Sequence, residues 1–301
     1  IVTSLFMGLQ ICANHPQMTY YLFLALGFLF LSELIRAATG KTPWKHFLIS
    51  SGVLGLALIL GVGMNSQRLL ANSEYVKETI RGKQILKSEH NSKDDDGMKK
   101  QEILNWSYGK LETLNLFIPR LLGGSSTEEV SDDFKKELRA SLESQTDDEE
   151  QIQAVFDQVA NGVPMYWGDQ PGTSGPAYQG AIVVFLAILG FFFAWKKYRY
   201  WILGASILTI LLAWGSNFLP LSDLFIDYVP LYNKFRAPSS ILVVVELLFP
   251  LIAIIGLYRF YNDEKLTEEY KQKILLYVGG SVLGITLLII LFAKSLFGFE
   301  G

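Results

Sequence analysis

"SSILVVVELLFPLIAIIGLY", residues 239–258, carries one ionisable side chain, Glu246, in twenty positions, and its reading decides the fold. A helix rises 1.5 Å per residue, so about 20 apolar residues cross the hydrocarbon core of a bilayer. The stretch therefore reads as a transmembrane helix. An ionisable group eight residues into it costs about 3 kcal/mol unless it is paired or faces water. Pro250, four positions on, lacks an N–H and leaves the carbonyl of Glu246 without its helical partner. A hydrated cavity at that depth is one reading; a protonated glutamate bonded to a neighbouring helix is the other.

Outward from this span the same pattern recurs. Half of the residues are apolar and only 18% are charged, in blocks rather than evenly, which is the composition of a membrane protein. Residues 18–35, 44–64, 177–195 and 274–292 are further spans, 200–214 is a shorter one, and 1–12 read as the tail of a truncated one. Ile1 opens inside an apolar run without a basic leader, so the chain is expected to be a piece of a longer protein rather than to begin with a signal peptide. Cys12 is the single cysteine, which excludes an internal disulfide.

Counting basic residues in the short loops orients the set. Arg36, Lys41 and Lys45, then Lys196, Lys197 and Arg199, then Arg259, Lys265, Lys271 and Lys273 fall in alternate loops and mark the cytoplasmic side. Residues 13–17, 65–176 and 215–238 are then extracytoplasmic. The expected organisation is transmembrane helices at 1–64, an outer region at 65–176 and about four more transmembrane helices at 177–301.

The outer region holds 13 basic and 20 acidic residues, a net −7, so neither an anionic-lipid arm nor a nucleic-acid surface is expected there. "SEHNSKDDDGMKK" (88–100) reads as a solvated loop. In 126–151 the spacing of Phe134, Leu138 and Leu142 fits an exposed helix or a mobile insertion. Between and after these lie "NWSYGKLETLNLFIPRLLGG" (105–124) and "YWGDQPGTSGPAY" (166–178), rich in rings, glycine and proline. Both are expected to dock on the membrane face, with the "NWS" triplet serving packing rather than glycosylation.

No phosphate-binding glycine loop, nucleophile elbow, zinc helix or paired CxxC is present. His15, His46 and His90 are scattered over both sides, so no metal centre is expected, and no cofactor is implied. Lys234 and Arg236, outside the membrane ahead of a span, combine a point charge with a bidentate fork, as a diphosphate or phosphodiester requires; lipid anchoring is the plainer reading. With Glu246 they are expected to line one outward-open cavity, near Asp169 and His15. Trp167 beside Asp169 and Gln170 suits a sugar, with rings on its apolar face and polar groups on its hydroxyls; an interfacial cap is the alternative. His15, Trp106 and Tyr108 join Trp167, Asp169 and Gln170 as candidate sugar or acceptor contacts, and Asp169 is the candidate catalytic carboxylate.

"NHPQMTYY", "EYVKETIRG", "NWSYGKLETLNLFIPRLLGG", "YWGDQPGTSGPAYQGAIV" and "PLYNKFRAPSSILVVVE" together resemble the YfhO family of bacterial membrane proteins. The resemblance spans most of the chain apart from the two charge-dense insertions. It implies an all-α polytopic bundle of the GT-C type with a mixed, mainly helical extracytoplasmic insertion, in a bacterial cytoplasmic membrane. It further implies transfer of a sugar from a polyprenyl-phosphate donor to a cell-envelope glycopolymer such as a teichoic acid. Lys234 and Arg236 would hold the donor phosphate. In that fold the catalytic carboxylate commonly follows the first span, upstream of Ile1. A transporter or flippase with Glu246 on its path, and a non-catalytic scaffold for envelope assembly, are the competing functions.

Overall fold

The structure, a computed structural model, describes residues 1–82, 97–146, 148–160 and 162–297. Those residues are helical, without strands, and fall into two compact units: Ile1–Ser107 with Ile182–Gly301, and Tyr108–Ala181. His90 and most of the 88–100 loop lie outside the described residues.

The first unit is a helical bundle. Four of its helices are long and apolar enough to cross a membrane. α1 (Val2–Cys12) packs against α3 (Trp44–Gly63), and α2 (Pro16–Ala38) against α9 (Lys196–Ala213). α2 starts where Pro16 removes an N–H that no helix could use, and it ends where Gly40 turns left-handed, φ +72°. α4 (Ser66–Lys77) and the single turn α5 (Lys100–Ile103) precede the second unit. That unit contains α6 (Asp132–Gln145) and α7 (Glu149–Ala160), while α8 (Ala181–Phe193) leads back into the bundle. α10 (Leu219–Tyr228), α11 (Val243–Asn262) and α12 (Glu268–Phe297) complete the chain. Pro250 stays inside α11, and the 3-10 turn Pro238–Leu242 feeds that helix.

Small residues set the closest approaches. A Cβ on Gly61 would lie 2.7 Å from the Met7 Cβ, which locks α1 to α3. Gly190 of α8 and Gly256 of α11 stand back to back, with the Ile252 carbonyl oxygen where a Gly190 side chain would be. Such glycine contacts let helix backbones meet where lipid offers no hydrophobic drive.

Two expected spans take a different form. The one at 177–195 is helical only over the thirteen residues of α8, about 20 Å of rise and short of a bilayer core, because Gly180 is left-handed, φ +100°, and breaks the helix before it. The one at 200–214 is α9, which begins at Lys196 and is followed by a 113° bend into Gly215–Tyr228. Gly215 makes the bend, at φ +47°, with the Ser107 hydroxyl and the Pro238 ring filling the space a side chain would need. Ser107 is buried, donates to the Leu104 carbonyl at 2.6 Å and accepts from the Ser216 N–H at 2.8 Å. The "NWS" serine thus fastens a corner of the bundle.

Arg36, Lys196, Lys197 and Arg259 line adjoining pockets, so the three basic turns gather at one end of this unit. The start of α2 and the turn before α11 meet at the other end, where Gln17 bonds to the segment 236–240.

The second unit hangs on a 3-10 turn, Leu111–Leu116, and two isolated bridges, Gly123 with Tyr166 and Glu128 with Val163. α6 and α7 form a hairpin. Ser131 caps α6, Arg139 pairs with Glu149 at 2.9 Å and lies 5.8 Å from the Phe156 ring, and Ile152 is buried.

Candidate functional sites

In the bundle, three of the quoted motifs converge. The Gln17 side-chain nitrogen lies 2.6 Å from the Arg236 carbonyl oxygen, 2.7 Å from the Tyr21 hydroxyl and 2.8 Å from the Ser240 hydroxyl, with two N–H bonds to share among them. Tyr20 donates to the Pro230 carbonyl and packs its ring on Phe235 at a tilt of 42°, 5.1 Å between centroids. Trp106 enters from the third motif: its carbonyl accepts the Ser239 N–H, and its ring lies 6.0 Å from the Arg236 guanidinium. Arg236 itself is exposed, so its five donors remain presented to solvent beside an indole.

The loop that carries Arg236 is held in a costly shape. Leu231 and Ala237 are both left-handed, at φ +68° and +56°, a region that costs an L-residue about 1–2 kcal/mol. Strain of this kind persists only where neighbours over-determine it. Here Ser240 donates to the Ala237 carbonyl at 2.7 Å, Gln17 holds the next residue back, and Asn233 crowds Gly97. Lys234 points its ammonium at the Arg81 carbonyl, 2.9 Å away, so it ties the loop to the end of the 65–82 segment.

Of the other residues expected here, His15 is exposed at the start of α2. Glu246 lies in the first turn of α11, exposed, while Val244, Val245 and Leu248 around it are buried.

The second unit builds its own cluster around a residue that sequence reasoning passed over. Glu112 is fully buried; its carboxylate accepts the Gly109 N–H at 2.5 Å and the Tyr166 hydroxyl. The Gln170 N–H donates to the Tyr166 oxygen at 3.0 Å. Gly168 has no room for a Cβ against these same atoms. A point 2.9 Å from an Asp169 carboxylate oxygen and 3.0 Å from a Glu112 one marks where a Gly109 Cβ would sit, so the two carboxylates are neighbours. Burial, then the bond to Glu112, raises the Tyr166 hydroxyl above its ordinary value near 10.

This buttress displays Trp167 and Asp169, both exposed, on a fixed loop, with Gln170 half-buried beside them. Tyr108, by contrast, is 1% exposed and offers no ring face to a ligand. Arg120 grips Glu128 with both guanidinium nitrogens at 2.7 and 2.9 Å, and that bond holds the half-buried Glu128 carboxyl below its ordinary value. Among the described residues no three of His, Cys, Asp and Glu assemble as metal ligands.

Compared with known proteins, the chain matches no family profile, no curated protein and no solved structure.

Proposed function

We propose that the chain belongs to a membrane glycosyltransferase of the GT-C type that takes a sugar from a polyprenyl-phosphate donor and passes it, with inversion, to a cell-envelope acceptor outside the cytoplasmic membrane. The observation that carries this reading is Arg236: an exposed guanidinium against the Trp106 ring, on a strained loop fixed by Gln17, at the end of the bundle away from the basic turns. A polyprenyl phosphate needs a bidentate donor at head-group level and an apolar path for its chain. The motifs that resemble the YfhO family supply all the residues of that cluster.

In the second unit, Trp167 and Asp169 are the groups for a sugar ring. Exposed aromatic and carboxylate side chains on a preorganised loop lose little entropy on binding. A carboxylate in such a place can activate an acceptor hydroxyl as general base.

The test is donor binding and turnover by the full chain in lipid nanodiscs. Arg236→Ala should weaken binding of a polyprenyl-phosphate sugar at least tenfold, while Lys135→Ala, an equally charged change in α6, should leave it unchanged. Equal binding by the two variants overturns the reading. One observation favours transport instead: the 113° break after α9 resembles the interrupted helices that hold substrates in transporters. Substrate uptake into sealed vesicles without sugar transfer would decide for that alternative.

A further inference from the structure

The basic end of the bundle carries a site that the transferase reading leaves unused. Between the last turns of α2 and the first of α9 lies a pocket of about 550 Å³. Its wall is apolar: Phe28, Leu31 and Ile35 come from α2, and Trp201 and Gly204 from α9. Its rim is cationic, formed by Arg36, Lys41, Lys196 and Lys197. A second pocket of about 670 Å³ shares Arg36, Lys196 and Lys197 and adds Arg199 and Arg259.

Two of these cations are already paired. Glu33 pairs with Arg36 at 3.3 Å, and Asp263 with Arg259 at 2.7 Å. Lys41, Lys196 and Lys197 have no carboxylate within ion-pair distance among the described residues.

An independent feature of α9 points the same way. The helix has no acidic residue in its first turn and no side-chain cap, yet Lys196, Lys197 and Arg199 stand there. The first N–H groups of any helix lack internal acceptors, and the N-terminus carries about half a positive charge, which disfavours cations and favours an anion. Arg199 is already turned onto the Phe192 and Ala194 carbonyls, so Lys196 and Lys197 are the cations left in conflict with that end, and a bound phosphate resolves it by meeting their side chains and the orphan N–H groups together.

We propose that this groove is a binding site for an anionic phospholipid, with the phosphodiester at Arg36, Lys196 and Lys197 and an acyl chain along the Phe28, Leu31 and Ile35 wall. The wall decides between a lipid and a free phosphate. Leu31 and Ile35 are 50% and 54% exposed, and an inorganic anion on the rim would cover neither. Gly204 keeps the groove open, because a Cβ there would stand 3.0 Å from the Phe28 ring. The basic rim lies on the side expected to be cytoplasmic, where anionic lipids attract such clusters.

The test uses the full chain, purified and presented with phosphatidylglycerol, phosphatidylcholine or inorganic phosphate, with retained lipid counted by native mass spectrometry. Phosphatidylglycerol should be retained and phosphatidylcholine not. The double variant Lys196→Gln with Lys197→Gln should cut retention at least tenfold, and Lys273→Gln, an exposed lysine on α12, should not. Ile35→Gln, on the exposed wall, should lower lipid retention without changing the binding of inorganic phosphate. Equal retention of the two lipids, an undiminished double variant, an equal loss in Lys273→Gln, or phosphate binding with no effect of Ile35→Gln on the lipid would each overturn the proposal. Thermal unfolding of each variant in detergent separates loss of the site from loss of the fold.

Discussion

The Gln17 amide reaches across 219 positions of sequence to the Arg236 carbonyl, 2.6 Å away, and thereby holds the residue next to the left-handed Ala237. Gln17 is 91% buried. Replacing it with Ala leaves a carbonyl and two hydroxyls short of a donor, which costs about 1–3 kcal/mol. Gln17→Ala should lower the thermal midpoint and loosen the Arg236 loop, seen as faster amide exchange over 231–240.

The strain at Ala237 gives a paired expectation of opposite sign. Ala237→Gly removes the Cβ clash at φ +56° and should raise the midpoint slightly, because the relief of about 1–2 kcal/mol outweighs a glycine's entropic cost of about 0.5–1 kcal/mol. Ala237→Val, branched where the backbone tolerates it least, should lower the midpoint. Identical midpoints for the two variants would show that the loop relaxes freely.

The Tyr166 bond to Glu112 makes the second unit sensitive to alkali. Because the folded hydroxyl sits above its ordinary value of 10, its contribution to stability is complete below that pH and is lost as the pH rises through the folded value. Spectrophotometric titration should show one fewer late-ionising tyrosine in Tyr166→Phe than in the parent. Glu112→Ala leaves both the tyrosine hydroxyl and the Gly109 N–H without an acceptor and should cost about 2–4 kcal/mol, while Glu112→Gln, which keeps one acceptor, should cost less.

Trp167 and Asp169 flank Gly168 beside that buttress, both exposed. The thermal midpoint of Trp167→Ala and of Asp169→Asn fixes the temperature at which each is compared with the parent in its folded state. Each should weaken a sugar-phosphate donor or acceptor at least tenfold in equilibrium binding. Normal affinity in both would remove the loop from the ligand's path.

The packing of α8 on α11 should be intolerant of a single methyl group. Gly190→Ala places its Cβ on the Ile252 carbonyl, backbone rather than a movable side chain, so the helices must separate. A loss of about 2 kcal/mol or more is expected, against little change for Gly279→Ala, which meets nothing within 4 Å.

The long spans were readable because hydropathy alone marks them: α2, α3, α11 and α12 lie where long apolar runs stand in the sequence. The grouping of three basic turns at one end also follows from counting lysines and arginines. The shortening of α8 and the bend after α9 were not readable, because each turns on one glycine, Gly180 or Gly215, in a run whose composition still looks like a span. The Arg236 loop was visible as an unexpected basic pair, but its partner Gln17 was not, since a glutamine at the start of a helix looks like an ordinary interfacial residue. Glu112 was hidden for a similar reason. Its partners Tyr166 and Gln170 are 54 and 58 positions away, and nothing local shows that a carboxylate in "KLETLNL" is buried.

α2 runs without a break from Gln17 to Arg36, so one helix holds a residue of the strained loop's cluster at its start and a residue of the basic groove near its end, about 28 Å apart along the axis. The angular phase of the two side chains is set by the number of residues between them, at about 100° per residue. Inserting or deleting one residue in the middle of α2 would rotate one end out of register while leaving the other in place. The two ends can therefore be varied independently by substitution but not by a change in length, and the spacing between Gln17 and Arg36 is a fixed dimension of this protein.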